Sequence, residues 1–571
     1  MIALAAIAFL VGAVVGSGHG GSPQLGLAER FAHAWTRGDY ASMYEDIDPA
    51  AQRRIPASTF AEDYQAAART ATETGLAVMG HAHEGAHEVI SVPMSIHTRI
   101  WGTLKESLLI TVQDGPEGER VTWSHSLVFP GLMRGEPLSR RMTLPPRATL
   151  LAHDGSVLAD GPATAAGTRN SPLGAAAAGV VGEVGPVPSA HLSELEAQGV
   201  PAEAIVGTSG LELALDSQLR GTPGGQLLAG VRVLASVLPK PSPAVHTTIS
   251  PKLQRVAAEA LGGQLGGVVA MDPANGEILA VAGLGIDDLQ PPGSTFKMVT
   301  VTAALEAKVA SLKSVYPYAT SATLDGVKLE NAGGEDCGGS LALAFAVSCN
   351  SVFAPLGVKV GADRLVATAE RFGFNHAPEL PGAIESTLPP ASQIQGELDI
   401  GSTAIGQGQV QASALQMVRV AATVGDGGRR PTPTFEASRS AHVRVMSPAT
   451  ARTVRRLMIG VVREGTGTAA AIPGVTVAGK TGTAELGAPT CPSKSEHGSE
   501  GSESQASGES EKNSENCSSA SNDPQNTDAW FAAFAPAIHP RIAVGVLLVK
   551  DGAGGETAAP LAKQVLEAGL R

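Results

Sequence analysis

The sequence has little positive charge and no cluster of it. Its 571 residues carry 41 Lys and Arg against 54 Asp and Glu, which gives a formal net charge of −13. A surface that binds nucleic acid needs clustered Lys and Arg to neutralise phosphates. The composition therefore excludes nucleic acid as an expected partner. A chain of this length is expected to hold about two to four domains.

A long hydrophobic run is also missing. The stretch Ile2–Val15 is almost entirely apolar, but a membrane-spanning helix needs about 20 such residues. The first Lys or Arg is Arg30, so the run lacks the basic start of a signal peptide, and no clear cleavage site follows it. We interpret residues 1–22 as an uncleaved membrane anchor, with a removed signal segment as the alternative. A basic cytoplasmic segment is expected upstream of the given start.

Cysteine is scarce, with four residues in the chain. No histidine lies at metal-ligand spacing from any of them, so no metal site is predicted. Two local pairs are available, Cys337 with Cys349 and Cys491 with Cys517, among three connectivities. In an exported protein both pairs are expected to form disulfides. The alternative is that Cys349 is a small buried residue and that Cys491 and Cys517 are free.

The sequence does contain a serine three residues before a lysine, Ser294 and Lys297 in PPGSTFKMVT. A serine nucleophile must lose its proton as it attacks, and a lysine one helical turn away can accept that proton. The preceding Pro-Pro-Gly predicts a loop that ends at a helix N-terminus, where unpaired N–H groups favour negative charge. The lysine must be neutral to act as a base, which requires burial or a second nearby cation.

A second motif, Ser348-Cys349-Asn350, follows 54 residues after Ser294. We predict that Ser348 passes protons between the base and the leaving group. The Asn350 amide has a donor and an acceptor to offer to a peptide-like substrate.

A third motif, Lys480-Thr481-Gly482-Thr483, begins 132 residues after Ser348. Lys480 is the candidate second cation, and with the hydroxyls of Thr481 and Thr483 it suits a substrate carboxylate. Gly482 would let its strand approach a neighbour closely. Each motif alone is weak evidence, but the ordered set is a known signature of serine acyl-enzymes.

The ordered motifs resemble those of class B penicillin-binding proteins, which are peptidoglycan D,D-transpeptidases. The predicted hairpin at 266–283, the stretch TAIGQGQVQASALQM and the terminal strands DAWFAAFAP and RIAVGVLLVK resemble the same family. The resemblance implies a multidomain α+β protein. Its C-terminal penicillin-binding/serine β-lactamase-like domain would have an antiparallel sheet flanked by helices.

Four regions follow from this resemblance. Residues 1–22 are the anchor or signal segment, and 23–135 resemble the nuclear-transport-factor-like α+β domain of methicillin-resistance-type transpeptidases, with its aromatics expected in the core. Residues 139–245 resemble the pedestal or dimerisation domain, although Arg147-Ala148 and Ala152-His153 stand where the family has Arg-Gly and Asp-Arg. Residues 246–571 form the transpeptidase domain.

The resemblance also implies the reaction. Ser294, deprotonated by Lys297, would attack the bond between two terminal D-alanines of a peptidoglycan stem peptide, and β-lactams would acylate the same serine. The backbone N–H groups of Ser294 and Thr483 would form the oxyanion hole. No cofactor is expected. The catalytic domain would lie outside the cytoplasmic membrane, and a glycosyltransferase partner would polymerise glycan.

Two other functions remain open at this stage. A β-lactamase or D,D-carboxypeptidase of the same fold would use water as the acceptor, and Glu379 in Pro378-Glu379-Leu380-Pro381 could activate that water. We interpret Glu379 as a decoy, since Pro381 occupies the place of the asparagine that such a loop needs. A β-lactam sensor or a division scaffold is the non-enzymatic alternative.

An acidic segment, Gly487–Thr527, interrupts the transpeptidase region. It contains eleven Ser, six Glu and one Asp against two Lys, and it has no large apolar residue. Such a composition cannot bury enough surface to offset its ordering entropy, so the segment is expected to be mobile. It is predicted to join the Lys480 strand to the Asp528 strand as an enlarged hairpin loop beside the cleft.

Overall fold

The computed structural model describes residues 22–85, 88–116, 118–437, 441–486 and 526–571. The predicted anchor or signal segment and most of the acidic segment lie outside the described residues, as do Cys491 and Cys517. No helix in the described ranges is long and apolar enough to cross a membrane.

The helices are α1 (Pro23–Thr36), α2 (Tyr40–Asp46), α3 (Pro49–Arg54), α4 (Ala57–Thr70), α5 (Ala175–Val181), α6 (Leu192–Ala197), α7 (Gly210–Ala214), α8 (Asp216–Leu219), α9 (Pro251–Leu261), α10 (Lys297–Glu306), α11 (Leu341–Ala346), α12 (Asn350–Val360), α13 (Ala362–Phe372), α14 (Gly396–Ala404), α15 (Ala414–Gly425), α16 (Pro448–Glu464) and α17 (Ala558–Leu570). The strands are β1 (Glu73–Val78), β2 (His83–Glu84), β3 (Val89–Thr98), β4 (Gly102–Gly115), β5 (Gly118–Val121), β6 (Leu138–Thr143), β7 (Leu150–Leu151), β8 (Val157–Ala159), β9 (Val184–Pro186), β10 (Ile205–Gly207), β11 (Gly224–Ala229), β12 (Arg232–Val237), β13 (Val245–His246), β14 (Gly266–Met271), β15 (Ile278–Gly283), β16 (Val315–Ala319), β17 (Ser321–Leu324), β18 (Val327–Glu330), β19 (Cys337–Ser340), β20 (Arg429–Pro431), β21 (His442–Arg444), β22 (Ala478–Glu485), β23 (Thr527–Ala535) and β24 (Ile542–Leu548).

The chain forms two compact units, and the first comprises Met1–Pro145, Val187–Ala204 and Gly221–Pro241. Its helices α1 to α4 accompany a sheet of order β1-β3-β4-β5, with β2 also paired to β3, and a second sheet of order β12-β11-β6. Trp35, Tyr64 and Trp123 are buried in one hydrophobic core. The expected α+β architecture and the expected core role of these aromatics are confirmed.

The second unit comprises Pro146–Pro186, Ile205–Arg220 and Ser242–Arg571. The predicted pedestal region therefore contributes segments to both units. Within this unit the pedestal segments include β7, β8, the β9–β10 ladder and helices α5, α7 and α8.

The catalytic part of the second unit contains an antiparallel sheet of order β15-β14-β24-β23-β22. Its two faces follow the alternation of side chains along each strand. Phe531 packs in a cluster with residues of α9 and α17. Trp530 packs on the other side with residues of α10, α12, α15 and α16. The β14–β15 hairpin confirms the prediction for residues 266–283.

Strand β22, which carries the third motif, lies at the end of the sheet order and pairs with β23. The predicted pairing of these two strands is confirmed. Leu486 N also donates to Asn526 O at 3.0 Å, so the ladder continues beyond β22. The acidic segment ends earlier than predicted, because Thr527 already belongs to β23, opposite Glu485.

Candidate active site

Ser294 lies in a 3₁₀ turn that leads directly into α10. The turn packs closely against β22. A methyl group at Gly293 would lie 2.7 Å from the Thr483 carbonyl oxygen, and one at Gly482 would lie 2.7 Å from the Pro292 carbonyl oxygen. Gly293 also has φ +50°, which favours glycine. Glycines on both sides therefore bring the serine turn against the third motif.

Lys297 begins α10 and is fully buried. Its Nζ lies 2.6 Å from the Ser348 carbonyl oxygen, 2.6 Å from Asn350 Oδ1 and 3.3 Å from Ser348 Oγ. Burial, and then the nearby Lys480 cation, lower the pKa of Lys297 well below its ordinary value. Both causes are the ones predicted for a general base. No hydrogen bond joins Lys297 to the Ser294 hydroxyl within the part of the chain described, and such bonds often form only with substrate bound.

Ser348 stands between α11 and α12 with φ +62°, an unusual value for a residue with a side chain. Such backbone strain persists where neighbouring structure holds it, often at functional sites. A disulfide between Cys337 and Cys349 joins β19 to the residue after Ser348, with Cα atoms 5.9 Å apart. This pairing is the one predicted from the sequence. Ser348 Oγ lies 2.9 Å from Lys480 Nζ and 3.3 Å from Lys297 Nζ, so it bridges the two lysines.

Asn350 has a role that differs in part from the one predicted. Its Oδ1 accepts from Lys297, and its Nδ2 donates to the Glu330 carbonyl at 2.8 Å. The amide oxygen therefore serves the lysine and is not free to accept from a substrate. The second N–H of the amide remains as a donor. The sequence carried no sign of Glu330, because its contribution is a backbone carbonyl.

Lys480 is also fully buried, and burial lowers its pKa to about 7. Besides Ser348, its Nζ contacts the Thr481 carbonyl oxygen at 2.9 Å and Thr481 Oγ1 at 3.5 Å. Thr481 Oγ1 lies 2.5 Å from Thr466 Oγ1. Thr483 Oγ1 accepts from Gly554 N at 3.4 Å. The cation and hydroxyls predicted to bind a carboxylate thus lie along one edge strand, β22. The hydroxyl of Thr466 is an additional member of this polar group.

Two buried phenylalanines complete the surroundings of the lysines. Lys297 Nζ lies 5.6 Å from the ring centroid of Phe353, and Lys480 Nζ lies 5.6 Å from that of Phe345. Sequence reasoning missed both residues. Their one signal is their position, three residues before Ser348 and three after Asn350.

Glu379, which we interpret from the sequence as a decoy for a water-activating glutamate, is half-exposed, with 53% of its side chain accessible. Its carboxylate lies 3.4 Å from Nη2 of the buried Arg419. It has no hydrogen bond to any of the three motifs within the described chain. No group of three or more His, Cys, Asp or Glu in that part of the chain could hold a metal ion.

Comparison with known families agrees with this geometry. Residues 266–502 match the penicillin binding protein transpeptidase domain, 162–231 the penicillin-binding protein dimerisation domain, and 25–136 the NTF2-like N-terminal transpeptidase domain. The chain is also 32% identical over 395 residues to the peptidoglycan D,D-transpeptidase PbpA of Mycobacterium tuberculosis, covering 57% of this chain and 72% of that protein. This chain belongs to the class B penicillin-binding proteins.

Two solved structures extend the comparison. The D,D-transpeptidase domain of a peptidoglycan glycosyltransferase from Eggerthella lenta is 29% identical, with a TM-score of 0.56, and covers 74% of this chain and 98% of that one. The penicillin G acyl-enzyme of penicillin-binding protein A from M. tuberculosis is 27% identical, with a TM-score of 0.55, and covers 75% of this chain and 100% of that one. The predicted multidomain penicillin-binding fold is confirmed.

Proposed function

We propose that this peptidoglycan D,D-transpeptidase forms its acyl-enzyme on Ser294. One observation supports this most strongly. The Oγ of Ser348 bridges two buried lysines at 2.9 and 3.3 Å, next to a serine turn that packs against the third motif. This arrangement would supply a nucleophile, a base, a proton relay and a cation for a carboxylate.

Acylation proceeds by proton transfer from Ser294 Oγ to neutral Lys297 as the oxygen attacks the carbonyl carbon between two D-alanines. The N–H groups of Ser294 and Thr483 are the proposed donors to the oxyanion, and one such donor is typically worth about 10²- to 10³-fold in rate. The proton moves from Lys297 through Ser348 to the leaving D-alanine nitrogen as the peptide bond breaks. An acceptor amine then attacks the ester carbonyl and loses a proton to the same relay. The ester bond breaks, Ser294 Oγ leaves with that proton, and the new amide bond is the cross-link.

Substrate orientation is assigned to the third motif and to Asn350. The terminal carboxylate of the donor peptide, or of a β-lactam, would bind Lys480, Thr481 and Thr483. The free N–H of Asn350 would donate to a peptide carbonyl. The penicillin G acyl-enzyme of the M. tuberculosis relative supports the proposal that β-lactams bind here in place of the donor peptide.

The location and partners are also proposals. The apolar run near the start supports a membrane anchor, with the catalytic domain on the extracytoplasmic side, where the Cys337–Cys349 disulfide would be stable. Because stem peptides are carried on glycan strands, a glycosyltransferase is the expected partner class.

The test is covalent labelling of the purified protein with a fluorescent penicillin, followed by peptide mapping and timed deacylation. We expect the label on Ser294, its loss in Ser294→Ala, and persistence over hours. A label elsewhere would contradict the site. Loss within seconds would indicate a β-lactamase. Incubation with a D-Ala-D-Ala donor and an amine acceptor separates the remaining alternatives, because a carboxypeptidase gives only the hydrolysed peptide.

A further inference from the structure

Two buried lysines without an acidic partner are the most unusual feature of this unit. Lys297 and Lys480 are both fully buried, and no carboxylate forms an ion pair with either within the described ranges. Buried charges are ordinarily paired, because transfer of an ammonium out of water is costly. Whatever positive charge this pair carries is therefore stabilised by groups other than a carboxylate.

The polar contacts account for only part of that stabilisation. Lys480 Nζ has the Thr481 carbonyl and the Ser348 hydroxyl within 2.9 Å. Lys297 Nζ has two oxygens at 2.6 Å, from Ser348 and Asn350. All of these partners are neutral, and the nearby Lys480 cation further disfavours a charge on Lys297.

The aromatic contacts are the same for the two lysines, whereas their polar contacts differ. Each ammonium lies 5.6 Å from the centroid of one buried ring, Phe353 for Lys297 and Phe345 for Lys480. The two rings also pack edge to face, with centroids 5.7 Å apart. The negative face of a benzene ring attracts a cation within about 6 Å, and the attraction is stronger where water is excluded.

We propose that Phe345 and Phe353 are positioning residues that determine, through their ring faces, how positive charge is distributed over the lysine pair. The inference rests on the proposed function. Phe345 holds Lys480 as the cation that receives the substrate carboxylate. Phe353 stabilises Lys297 once this lysine has accepted the Ser294 proton and become an ammonium during attack.

The local sequence explains how one turn provides both rings. Phe345 lies in α11 and Phe353 in α12, and the strained Ser348 joins these two helices. The same segment therefore places the proton relay between the lysines and one ring behind each of them. The groups that face the lysines from α10, the α11–α12 turn, α12 and β22 are the other lysine, Ser348, Asn350 and Thr481.

The test replaces each phenylalanine in the full chain by 4-fluoro-, 3,5-difluoro- and 3,4,5-trifluorophenylalanine. This series weakens the ring face stepwise with little change of shape. The readout is the second-order rate constant of acylation by benzylpenicillin against pH, which reports the groups of the free enzyme. Phe372, buried in α13 and without a cation contact in the described chain, receives the same series as the control.

Weakening a ring face makes its ammonium lose a proton more easily. At Phe345 the alkaline limb of the profile should move to lower pH, because cationic Lys480 is lost earlier, and the profile narrows. At Phe353 the acidic limb should move to lower pH, because Lys297 is neutral earlier, and the profile widens. We expect shifts of about 0.5 to 1 unit at the trifluoro stage, graded with fluorination.

Three outcomes overturn the inference. Limbs that do not move, limbs that move equally for both residues, or shifts that Phe372 reproduces would leave the rings with a packing role alone. Failure of the proposed function gives a different result, since unsubstituted protein would then not be acylated on Ser294 at any pH. A fluorinated protein that unfolds is detected by its Tm, and the monofluoro variant then supplies the comparison.

Discussion

The second unit contains two clusters of buried charge that are built in opposite ways. In the pedestal segments, Arg147 Nε lies 2.6 Å and Arg169 Nη1 lies 3.1 Å from the carboxylate of fully buried Glu212. Arg147 also pairs with Asp216 at 2.8 Å. At the candidate active site, Lys297 and Lys480 have only neutral oxygens and ring faces as described partners. One cluster has its charges paired and the other does not.

The difference separates a structural role from a catalytic one. A paired buried charge keeps its charge, because loss of either partner leaves the other uncompensated. An unpaired buried lysine is poised to lose its proton, which a general base must do. The same burial therefore gives fixed charges in the pedestal and titrating charges in the active site.

The largest expected effect comes from Lys297→Met. The acylation rate should fall by about 10²- to 10⁴-fold, the usual cost of losing a general base. The Tm should stay equal or rise, because an unpaired buried amine is replaced by an apolar chain of similar length. Stopped-flow acylation and thermal unfolding measure both, with exposed Lys313→Met as a control that changes neither. If Lys297→Met lowers the Tm as much as removal of a paired pedestal charge does, the contrast between paired and unpaired buried charges would be contradicted.

The opposite pattern is expected for Glu212→Gln. Loss of this carboxylate leaves two buried guanidinium groups underpaired, which should cost about 3–5 kcal/mol in the free energy of unfolding. Denaturant unfolding measures the loss, and exposed Glu203→Gln is the matched control. Active-site titration should give near-normal acylation per folded molecule. If Glu212→Gln lowers the acylation rate and leaves the free energy of unfolding unchanged, the structural role assigned to the pedestal charges would be contradicted.

The pH dependence of acylation sharpens the account of Lys480. Its pKa of about 7 means that the cation is lost as the pH rises through that value. Acylation by a β-lactam carboxylate should therefore decline above pH 7 by up to tenfold per unit, whereas a β-lactam methyl ester should decline less. If the acylation rates of the acid and the ester decline equally with pH, Lys480 does not bind the carboxylate.

The smallest effect is expected from the acidic segment, whose composition predicts a mobile loop. Because Leu486 N and Asn526 O already lie 3.0 Å apart, residues 487–525 can be replaced by Asn-Gly, a two-residue hairpin turn. The Tm should hardly change, since closure entropy varies slowly with loop length. Acylation by anionic β-lactams should rise a few-fold at low salt and lose that gain at high salt. A rate unchanged at every ionic strength would contradict electrostatic gating.

Much of the site follows from local patterns. Ser294 with Lys297, the serine–asparagine motif and the β22 motif are recognisable because each has a fixed spacing of chemically distinctive residues. The hairpin at 266–283 and the Cys337–Cys349 disulfide each join segments that lie close together in the sequence. These features need no knowledge of how distant segments meet.

The remaining features depend on tertiary contacts of ordinary residues. Phe345 and Phe353 lie in apolar helices, so the sequence predicts core residues, and both are buried. Their contacts with the lysines are visible only in the structure, because Lys297 and Lys480 lie on other elements. Nothing in the sequence distinguishes Thr466 from other threonines. Its position near the site is visible only from the distance of 2.5 Å between its Oγ1 and Thr481 Oγ1. The commitment of the Asn350 oxygen to Lys297 is likewise set by packing and not by spacing.

The most direct test of the central claim is NMR titration of the lysine side chains in Ser294→Ala, with ¹⁵N and ¹³C labels and with Lys297→Met and Lys480→Met variants for assignment. We predict that Lys480 titrates near pH 7 and that Lys297 loses its proton well below the ordinary range of a lysine. Two buried lysines that both remain charged to pH 10 would contradict it, because neither could then accept the proton of the serine.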